Sequence, residues 1–149
     1  MGLLSEGLGM SPGKLQELTC LETRAMVGIY YPYYPQLNLM VSLTSHTNPG
    51  LITFLLQDQV SGLQVKHGNE WVDVTPILGA LVVNIGDILQ AGQRIMSNDE
   101  HKSVDHWVLA NPNQEPHVSV VVFYNPSNRE KEFRPFPELT SSNKPIAFR

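Results

Sequence analysis

The sequence predicts an all-β core, arranged as an antiparallel sandwich or barrel and preceded by short helices. From residue 25 onward the apolar runs are short, and most are bounded by Pro, Gly, Asn or Asp, which end strands and set turns. No helix-like segment separates one run from the next, which argues against parallel strands joined by helices. The 149 residues, 42% apolar and 16% charged, are enough for one domain with an ordinary core.

The first 24 residues have the pattern of two short helices separated by a bend at Gly9. Ser11 and Pro12 predict the cap and the first residue of the second helix. The first helix carries Leu3, Leu4 and Leu8, and the second places on one face Leu15, Leu18 and Leu21. Because apolar residues this close to the first residue need a surface to pack on, we expect that the chain has lost a preceding segment.

The following part of the chain contains eight predicted strands. They are Met26–Tyr31, Leu39–His46, Leu51–Gln57, Leu63–Lys66, Trp71–Val74, Ala80–Leu89, Val104–Leu109 and Val118–Tyr124. Gly68 and Asn69 predict a tight hairpin between two of them. The runs Leu51–Leu56 and Ala80–Leu89 are apolar on both faces, which is typical of strands covered on both sides. From Pro135 onward the sequence predicts irregular structure.

Composition excludes several classes of function. The net charge is -4 with only 10 Lys and Arg, so no basic surface for nucleic acid is expected. The single cysteine, Cys20, excludes an internal disulfide and a cysteine-based zinc site. No apolar run approaches the length of a membrane span, and the start lacks the pattern of a signal peptide. We therefore expect a cytoplasmic protein with no nucleic-acid or membrane partner.

Histidines are the residues best suited to metal chemistry in such a chain. His46 and Asn48, two apart at the end of a predicted strand, project to the same side. A His-x-carboxylate pair with a distant histidine, here His106, forms the facial triad of non-haem Fe(II) oxygenases, but Asn48 is neutral. A structural or solvated role for His46 stays open as the alternative.

The other histidines carry weaker signals. His67 lies beside a predicted turn and His101 in a polar loop, so both are expected to be solvated. His117 and Ser119 face the same way and are suited to holding a carboxylate. Asp87 follows Gly86 and is interpreted as a turn residue rather than an acid.

Several sequence motifs, in order along nearly the whole chain, resemble those of the plant 2-oxoglutarate/Fe(II)-dependent dioxygenases, and most of all the 1-aminocyclopropane-1-carboxylate oxidase homologue branch. The motifs are Tyr30–Gln36, Leu43–Gly50, Leu55–Asp58, Gly62–Val65, Gly79–Asp87, Lys102–His106, Val118–Val120 and Phe123–Pro126. The resemblance implies a double-stranded β-helix, a distorted jelly roll. It also implies three regions: a helical remnant at 1–24, the dioxygenase barrel at 25–134 and a tail at 135–149.

The resemblance assigns roles to individual residues. His46 and His106 match the two iron-binding histidines, and Asn48 stands at the position of the iron-binding Asp. Tyr31 and Ser119 match residues that hold the distal carboxylate of 2-oxoglutarate, and His117 replaces the Arg of that site. In the family Fe(II), 2-oxoglutarate and oxygen oxidise a small molecule, and the keto acid becomes succinate and carbon dioxide. Ascorbate is a candidate additional cofactor.

Two of these departures predict weaker function. Asn48 supplies no negative charge to a hard cation, and His117 lacks the planar two-pronged clamp of Arg. Ile29 replaces a family Asn, and Ala91–Arg94 is an insertion relative to the family pattern. The sequence therefore predicts a dioxygenase acting on a small plant metabolite with impaired catalysis. The alternative is a non-catalytic barrel, and self-association through uncovered apolar surface is expected in either case.

Overall fold

The computed structural model describes residues 2–7, 9–14, 16, 23–33, 44–90, 102–109 and 115–125. Within these ranges the chain forms one helix and seven strands. They are α1 (Gly2–Gly7), β1 (Thr23–Tyr31), β2 (Ile52–Gln57), β3 (Leu63–His67), β4 (Glu70–Asp73), β5 (Val82–Ile85), β6 (His106–Val108) and β7 (His117–Asn125). The predicted all-β core is confirmed.

The strands form two antiparallel sheets. One sheet has the order β1-β7-β2-β5 and the other has the order β4-β3-β6. Strands β1 and β7 pair along their full lengths, from Thr23 opposite Asn125 to Tyr31 opposite His117. This long-range pairing brings the two ends of the described barrel onto one sheet surface.

The core lies between the two sheets. Leu55 of β2 and Val121 of β7 pack against Leu63 of β3, and all three side chains are buried. Because successive side chains of a strand point to opposite faces, the inner residues of each strand form one continuous set. The same inner faces carry the candidate site described below.

The strand β5 is shorter than the sequence predicts, and a tight turn follows it. Of the predicted strand Ala80–Leu89, only Val82–Ile85 is a strand, and residues 87–89 form a turn. At Gly86 the backbone comes so close to Gly50 that an added Cβ would clash with the Gly50 carbonyl oxygen. The chain therefore leaves the sheet at this point, and the interpretation of Asp87 as a turn residue is confirmed.

Two predicted turns are also confirmed. Gly9, with φ of +71°, follows α1, and its N–H donates to the carbonyl oxygen of Glu6 over 2.9 Å. Gly68, with φ of +61°, forms the hairpin between β3 and β4. Positive φ is inexpensive only for glycine, which explains its presence at both places.

Some predictions fall on residues outside the described ranges. They include the helix face of Leu15, Leu18 and Leu21, the strand residues 39–43, the insertion Ala91–Arg94, the polar loop at His101, the end of the barrel from residue 126 to 134 and the tail from Pro135. Of the second predicted helix, residues 12–14 are described and form turns, and Gln16 is described in a 3-10 conformation. Of the predicted strand Leu39–His46, the described end forms only a single bridge, between His46 and His106. No helix within the described ranges is long and apolar enough to cross a membrane.

The outer face of the four-stranded sheet is apolar and partly open to solvent. Met26 and Tyr30 of β1 are exposed over 74% and 64% of their surface, and Leu56 and Val83 over nearly half. Leu56 lies on β2 and Val83 on β5, two strands that the sequence expects to be covered on both faces. This surface, formed by Met26, Tyr30, Leu56 and Val83, is called the outer apolar face below.

Candidate functional site

A cleft opens between the inner faces of the two sheets. Its empty volume, counting the open mouth, is about 610 Å³. All six residues predicted for the site line this cleft: Tyr31, His46, Asn48, His106, His117 and Ser119. The structure thus brings together in one cavity residues that are far apart in the sequence.

His46 and His106 are direct neighbours at one end of the cleft. The N–H of His46 donates to the carbonyl oxygen of His106 over 3.2 Å, and the N–H of His106 donates back over 3.0 Å. Their ring centroids are 4.5 Å apart, with the ring planes tilted by 52°. A reciprocal pair of backbone bonds therefore holds the two residues side by side, with their imidazoles as close neighbours.

Both rings are held in the same tautomer. Nδ1 of His46 lies 2.9 Å from the carbonyl oxygen of Thr44, and Nδ1 of His106 lies 3.2 Å from that of Val104. Because a carbonyl oxygen only accepts, each Nδ1 carries the hydrogen. Nε2 of each neutral ring then has the free lone pair, which is the arrangement that metal-ligating histidines use.

The surroundings of His106 favour its neutral form. Burial lowers the pKa of His106 below its ordinary value, and the charge of His46 acts in the same direction. The hydrogen bond to Val104 and the carboxylate of Asp105 oppose this shift without reversing it. Since only a neutral imidazole binds a metal, the environment suits a ligand.

Asn48 completes this end of the cleft. It is 5% exposed, and its backbone carbonyl oxygen accepts the N–H of Asp87 over 2.7 Å. The carboxylate of Asp87 is engaged elsewhere, since Oδ2 accepts the hydroxyl of Thr47 over 3.0 Å. Among the described residues, no group of three His, Cys, Asp or Glu is placed to hold a metal. The donor set is therefore two imidazoles and one neutral amide.

That donor set fits a divalent cation. Two imidazoles with fixed tautomers are good ligands for first-row metals, and an amide oxygen adds a neutral third donor. The missing element is a negative charge. We therefore expect the site to hold Fe(II) more weakly than two histidines and a carboxylate would.

The other end of the cleft contains Tyr31, His117 and Ser119. The rings of Tyr31 and His117 stack with centroids 5.0 Å apart and planes within 19°. Burial raises the pKa of the Tyr31 hydroxyl, and a hydrogen bond with Ser119 partly opposes the shift. Tyr31 is therefore a neutral hydroxyl, able to donate a hydrogen bond to a ligand.

Sequence reasoning missed two residues at this end of the cleft. Asp58, just after β2, accepts a hydrogen bond at Oδ1 from Nδ1 of His117 over 2.6 Å. The side-chain oxygen of Gln57 is buried in the cleft wall without a hydrogen-bond partner among the described residues. A buried polar atom of this kind marks a place where a ligand or water completes a site. The signal in the sequence that could have identified Gln57 and Asp58 is their position as a polar pair directly after the apolar run Leu51–Leu56.

Comparison with known proteins identifies the family. Residues 22–126 match the sequence profile of the 2OG-Fe(II) oxygenase superfamily, which is more than half of the chain. The chain belongs to this superfamily. Its two facing sheets are accordingly the double-stranded β-helix that the resemblance implies, and the family uses Fe(II) and 2-oxoglutarate.

Curated plant proteins show the same relationship. The chain is 44% identical over 149 residues to 1-aminocyclopropane-1-carboxylate oxidase homolog 12 of Arabidopsis thaliana, covering 99% of this chain and 39% of that protein. It is 40% identical over 153 residues to deacetoxyvindoline 4-hydroxylase of Catharanthus roseus, covering 99% of this chain and 37% of that protein. The chain thus spans about two fifths of the length of these relatives.

Solved structures agree with this assignment. A crystal structure of JOX2 in complex with 2OG, Fe and JA superposes with a TM-score of 0.83 at 38% identity, over 97% of this chain and 42% of that one. The crystal structure of a dioxygenase for auxin oxidation in rice gives a TM-score of 0.80 at 27% identity, over 99% of this chain and 48% of that one. The family assignment and the fold are therefore supported by both sequence and shape.

Proposed function

We propose that the chain supplies the catalytic barrel of an Fe(II)- and 2-oxoglutarate-dependent oxygenase that oxidises a small plant metabolite. The observation that carries the proposal is the pairing of His46 with His106, each with its Nδ1 hydrogen-bonded to a backbone carbonyl and each lining the cleft. Asn48 lines the same cleft, and the resemblance assigns it the position of the family carboxylate. The consequence of this replacement is weaker metal binding and therefore slower turnover.

The two ends of the cleft would bind different groups, a metal ion at one end and the co-substrate at the other. His46, His106 and Asn48 would hold Fe(II), which when bound supplies the redox centre for the reaction of 2-oxoglutarate with oxygen. At the far end Tyr31, Ser119 and His117 would hold the distal carboxylate of 2-oxoglutarate.

The middle of the cleft is apolar. Its walls include Ile29, Leu55, Val121 and Phe123, which restrict water around the reacting groups. A low-dielectric wall also strengthens the hydrogen bonds made at the two polar ends. A cleft with two polar ends and an apolar middle suits a co-substrate whose two ends are polar and whose middle is a short carbon chain.

The direct test measures loss of 2-oxoglutarate and gain of succinate in the presence of Fe(II), oxygen and ascorbate. The assay begins without a primary substrate and then screens small plant metabolites for those that increase consumption of the keto acid. His106→Ala is expected to abolish consumption. His67→Ala, at the exposed end of β3, is the matched control and is expected to leave consumption unchanged.

Two results would contradict the proposal. Equal consumption by the wild type and His106→Ala would remove the cleft from the reaction. Binding of Fe(II) and 2-oxoglutarate with no consumption under any condition would favour the non-catalytic barrel. A parallel assay without ascorbate shows whether ascorbate acts as a cofactor.

A further inference from the structure

A carboxylate and an imidazole form a close pair at the far end of the cleft. Oδ1 of Asp58 lies 2.6 Å from Nδ1 of His117. The side chain of His117 is 3% exposed, whereas that of Asp58 is 32% exposed. The pair therefore joins a buried ring in the cleft to a carboxylate at its rim.

Asp58 is fixed from several directions. Its Oδ2 accepts the N–H of Val118 over 2.5 Å, and its Oδ1 also accepts the N–H of Val60 over 2.9 Å. Its own N–H donates to the carbonyl oxygen of Val118 over 3.1 Å. Burial alone would raise the pKa of Asp58, but the hydrogen bonds from Val118, His117 and Val60 together lower it below the ordinary value. Asp58 is thus an ionised acceptor that is held in place.

The second nitrogen of His117, Nε2, is not used by the pair with Asp58. Asp58 occupies Nδ1 and Tyr31 covers one face of the ring, while Nε2 has no hydrogen-bond partner among the described residues. His117 itself lines the cleft. With a hydrogen on both nitrogens, the ring is a cation that is neutralised by Asp58 on one side and presents Nε2–H on the other.

A buried cation is stable only when it is paired, because desolvation otherwise penalises the charge. Among the described residues, the titratable groups around His117 other than Asp58 are Tyr31, which is neutral, His46 and His106 at the opposite end of the cleft, and the exposed Glu115 on the approach to β7. Of these, Asp58 is the one in contact through a charge-assisted hydrogen bond. It is therefore the group that would pair with an imidazolium at Nδ1 when a ligand carboxylate adds a second anion at Nε2.

We propose that Asp58 is a positioning residue that lets His117 bind the distal carboxylate of 2-oxoglutarate as an imidazolium, so that the co-substrate is bound together with one proton. The inference rests on the proposed function, because it names how this chain recognises the co-substrate of the family. The Asp58–His117 pair then replaces a permanent cation, and binding depends on pH as a result. The proton is taken from solvent by Nε2 and remains between His117 and the ligand carboxylate.

The test is calorimetric titration of the Fe(II)-loaded full chain with 2-oxoglutarate at neutral pH, without oxygen, in two buffers of different ionisation enthalpy. The difference between the buffers gives the number of protons taken up on binding. For the wild type we expect uptake of about one proton. His117→Arg carries a permanent charge, so it is expected to bind more tightly and to take up none.

Variants at Asp58 test its positioning role. Asp58→Asn is expected to weaken 2-oxoglutarate binding about ten-fold and to reduce proton uptake, because the carboxylate that pairs with the imidazolium is gone. Asp58→Glu, which keeps the charge, is expected to recover part of both. Asp73→Asn is the matched control, since Asp73 lies on β4 and bonds Gln64 rather than a cleft residue.

A spectroscopic signature separates positioning from general damage. The imidazole nitrogen shifts of His117 are expected to report a doubly protonated ring in the wild-type complex and a neutral ring in the Asp58→Asn complex. Circular dichroism shows whether the variant is folded.

The possible failures are distinguishable. Binding of 2-oxoglutarate by the wild type without proton uptake, or an Asp58→Asn variant that binds as tightly as the wild type, overturns the role of Asp58 and leaves the proposed function standing. Absence of any 2-oxoglutarate binding by the Fe(II)-loaded wild type overturns both.

Discussion

The imidazole of His46 lies with its centroid 4.5 Å from that of His106, and two backbone hydrogen bonds join the residues. His46 lies in the segment that precedes β2, and His106 is the first residue of β6. The two backbone bonds hold the residues side by side, and each imidazole is also held by the hydrogen bond from its Nδ1 to a backbone carbonyl oxygen. The two candidate ligands are therefore preorganised, and we expect the identity of the third residue in the cleft, Asn48, to decide how strongly a metal binds.

Asn48→Asp is expected to raise Fe(II) affinity by at least about ten-fold, since it returns an anionic ligand to a site whose two histidines are already in place. Anaerobic Fe(II) titration measures the effect. Asn84→Asp adds the same charge to the same cleft from β5 and serves as the control. Equal affinity of wild type and Asn48→Asp would remove position 48 from the metal site, and an equal gain in the control would show only a general effect of charge.

Acid is expected to destabilise the chain partly through Asp58. Its pKa in the folded protein is below the ordinary 3.8 of the unfolded chain, because its hydrogen bonds outweigh the effect of burial. Its contribution to the free energy of unfolding is therefore present above about pH 4 and is lost as the pH falls through the folded value. Urea unfolding from about pH 5 to about pH 2 should show a shallower loss of stability for Asp58→Asn. Parallel curves for the variant and the wild type would contradict this.

Gly86→Ala is expected to destabilise the fold by roughly 1–3 kcal/mol or more, because its Cβ would meet the Gly50 backbone, which cannot move aside like a flexible side chain. The carbonyl oxygens of Asn48 and Gly50 both accept hydrogen bonds from the turn after Gly86, so the third candidate ligand should be displaced as well. Gly28→Ala on β1, where nothing lies within 4 Å of the added Cβ, should change stability by less than about 0.5 kcal/mol. Urea unfolding of both variants measures the contrast. A similar cost at both positions would contradict the argument from close packing.

The chain expressed alone is expected to self-associate through the outer apolar face. Covering even about 400 Å² of apolar surface contributes roughly 10 kcal/mol at about 25 cal/mol per Å², which is comparable to the whole stability of a domain. Met26→Lys, within this face, should shift the chain toward the monomer in size-exclusion chromatography. Leu78→Lys, at an 84% exposed leucine in the turn before β5, should not. A monodisperse wild-type monomer that unfolds cooperatively on heating would contradict this prediction, because it would show that the outer apolar face is stable in contact with solvent.

Much of this protein follows from local sequence signals. The runs around β1, β2, β3, β4 and β7 predict strands because alternating or continuous apolar residues end at turn-forming residues. Gly9 and Gly68 mark turns for the same local reason, since their positive φ is costly for other residues. The candidate site residues His46, Asn48 and His106 are identifiable from the sequence because the family pattern is carried by short motifs.

What the sequence leaves open depends on contacts between distant residues. The close approach of Gly86 to Gly50 ends β5 early, and no local pattern shows two backbones in contact. The pairing of Asp58 with His117, 59 positions apart, arises only when the end of β2 meets the start of β7. From sequence alone His117 is a neutral substitute for arginine. The tertiary structure gives it a carboxylate partner, because charge pairing in a low-dielectric interior depends on what the fold places within hydrogen-bond distance.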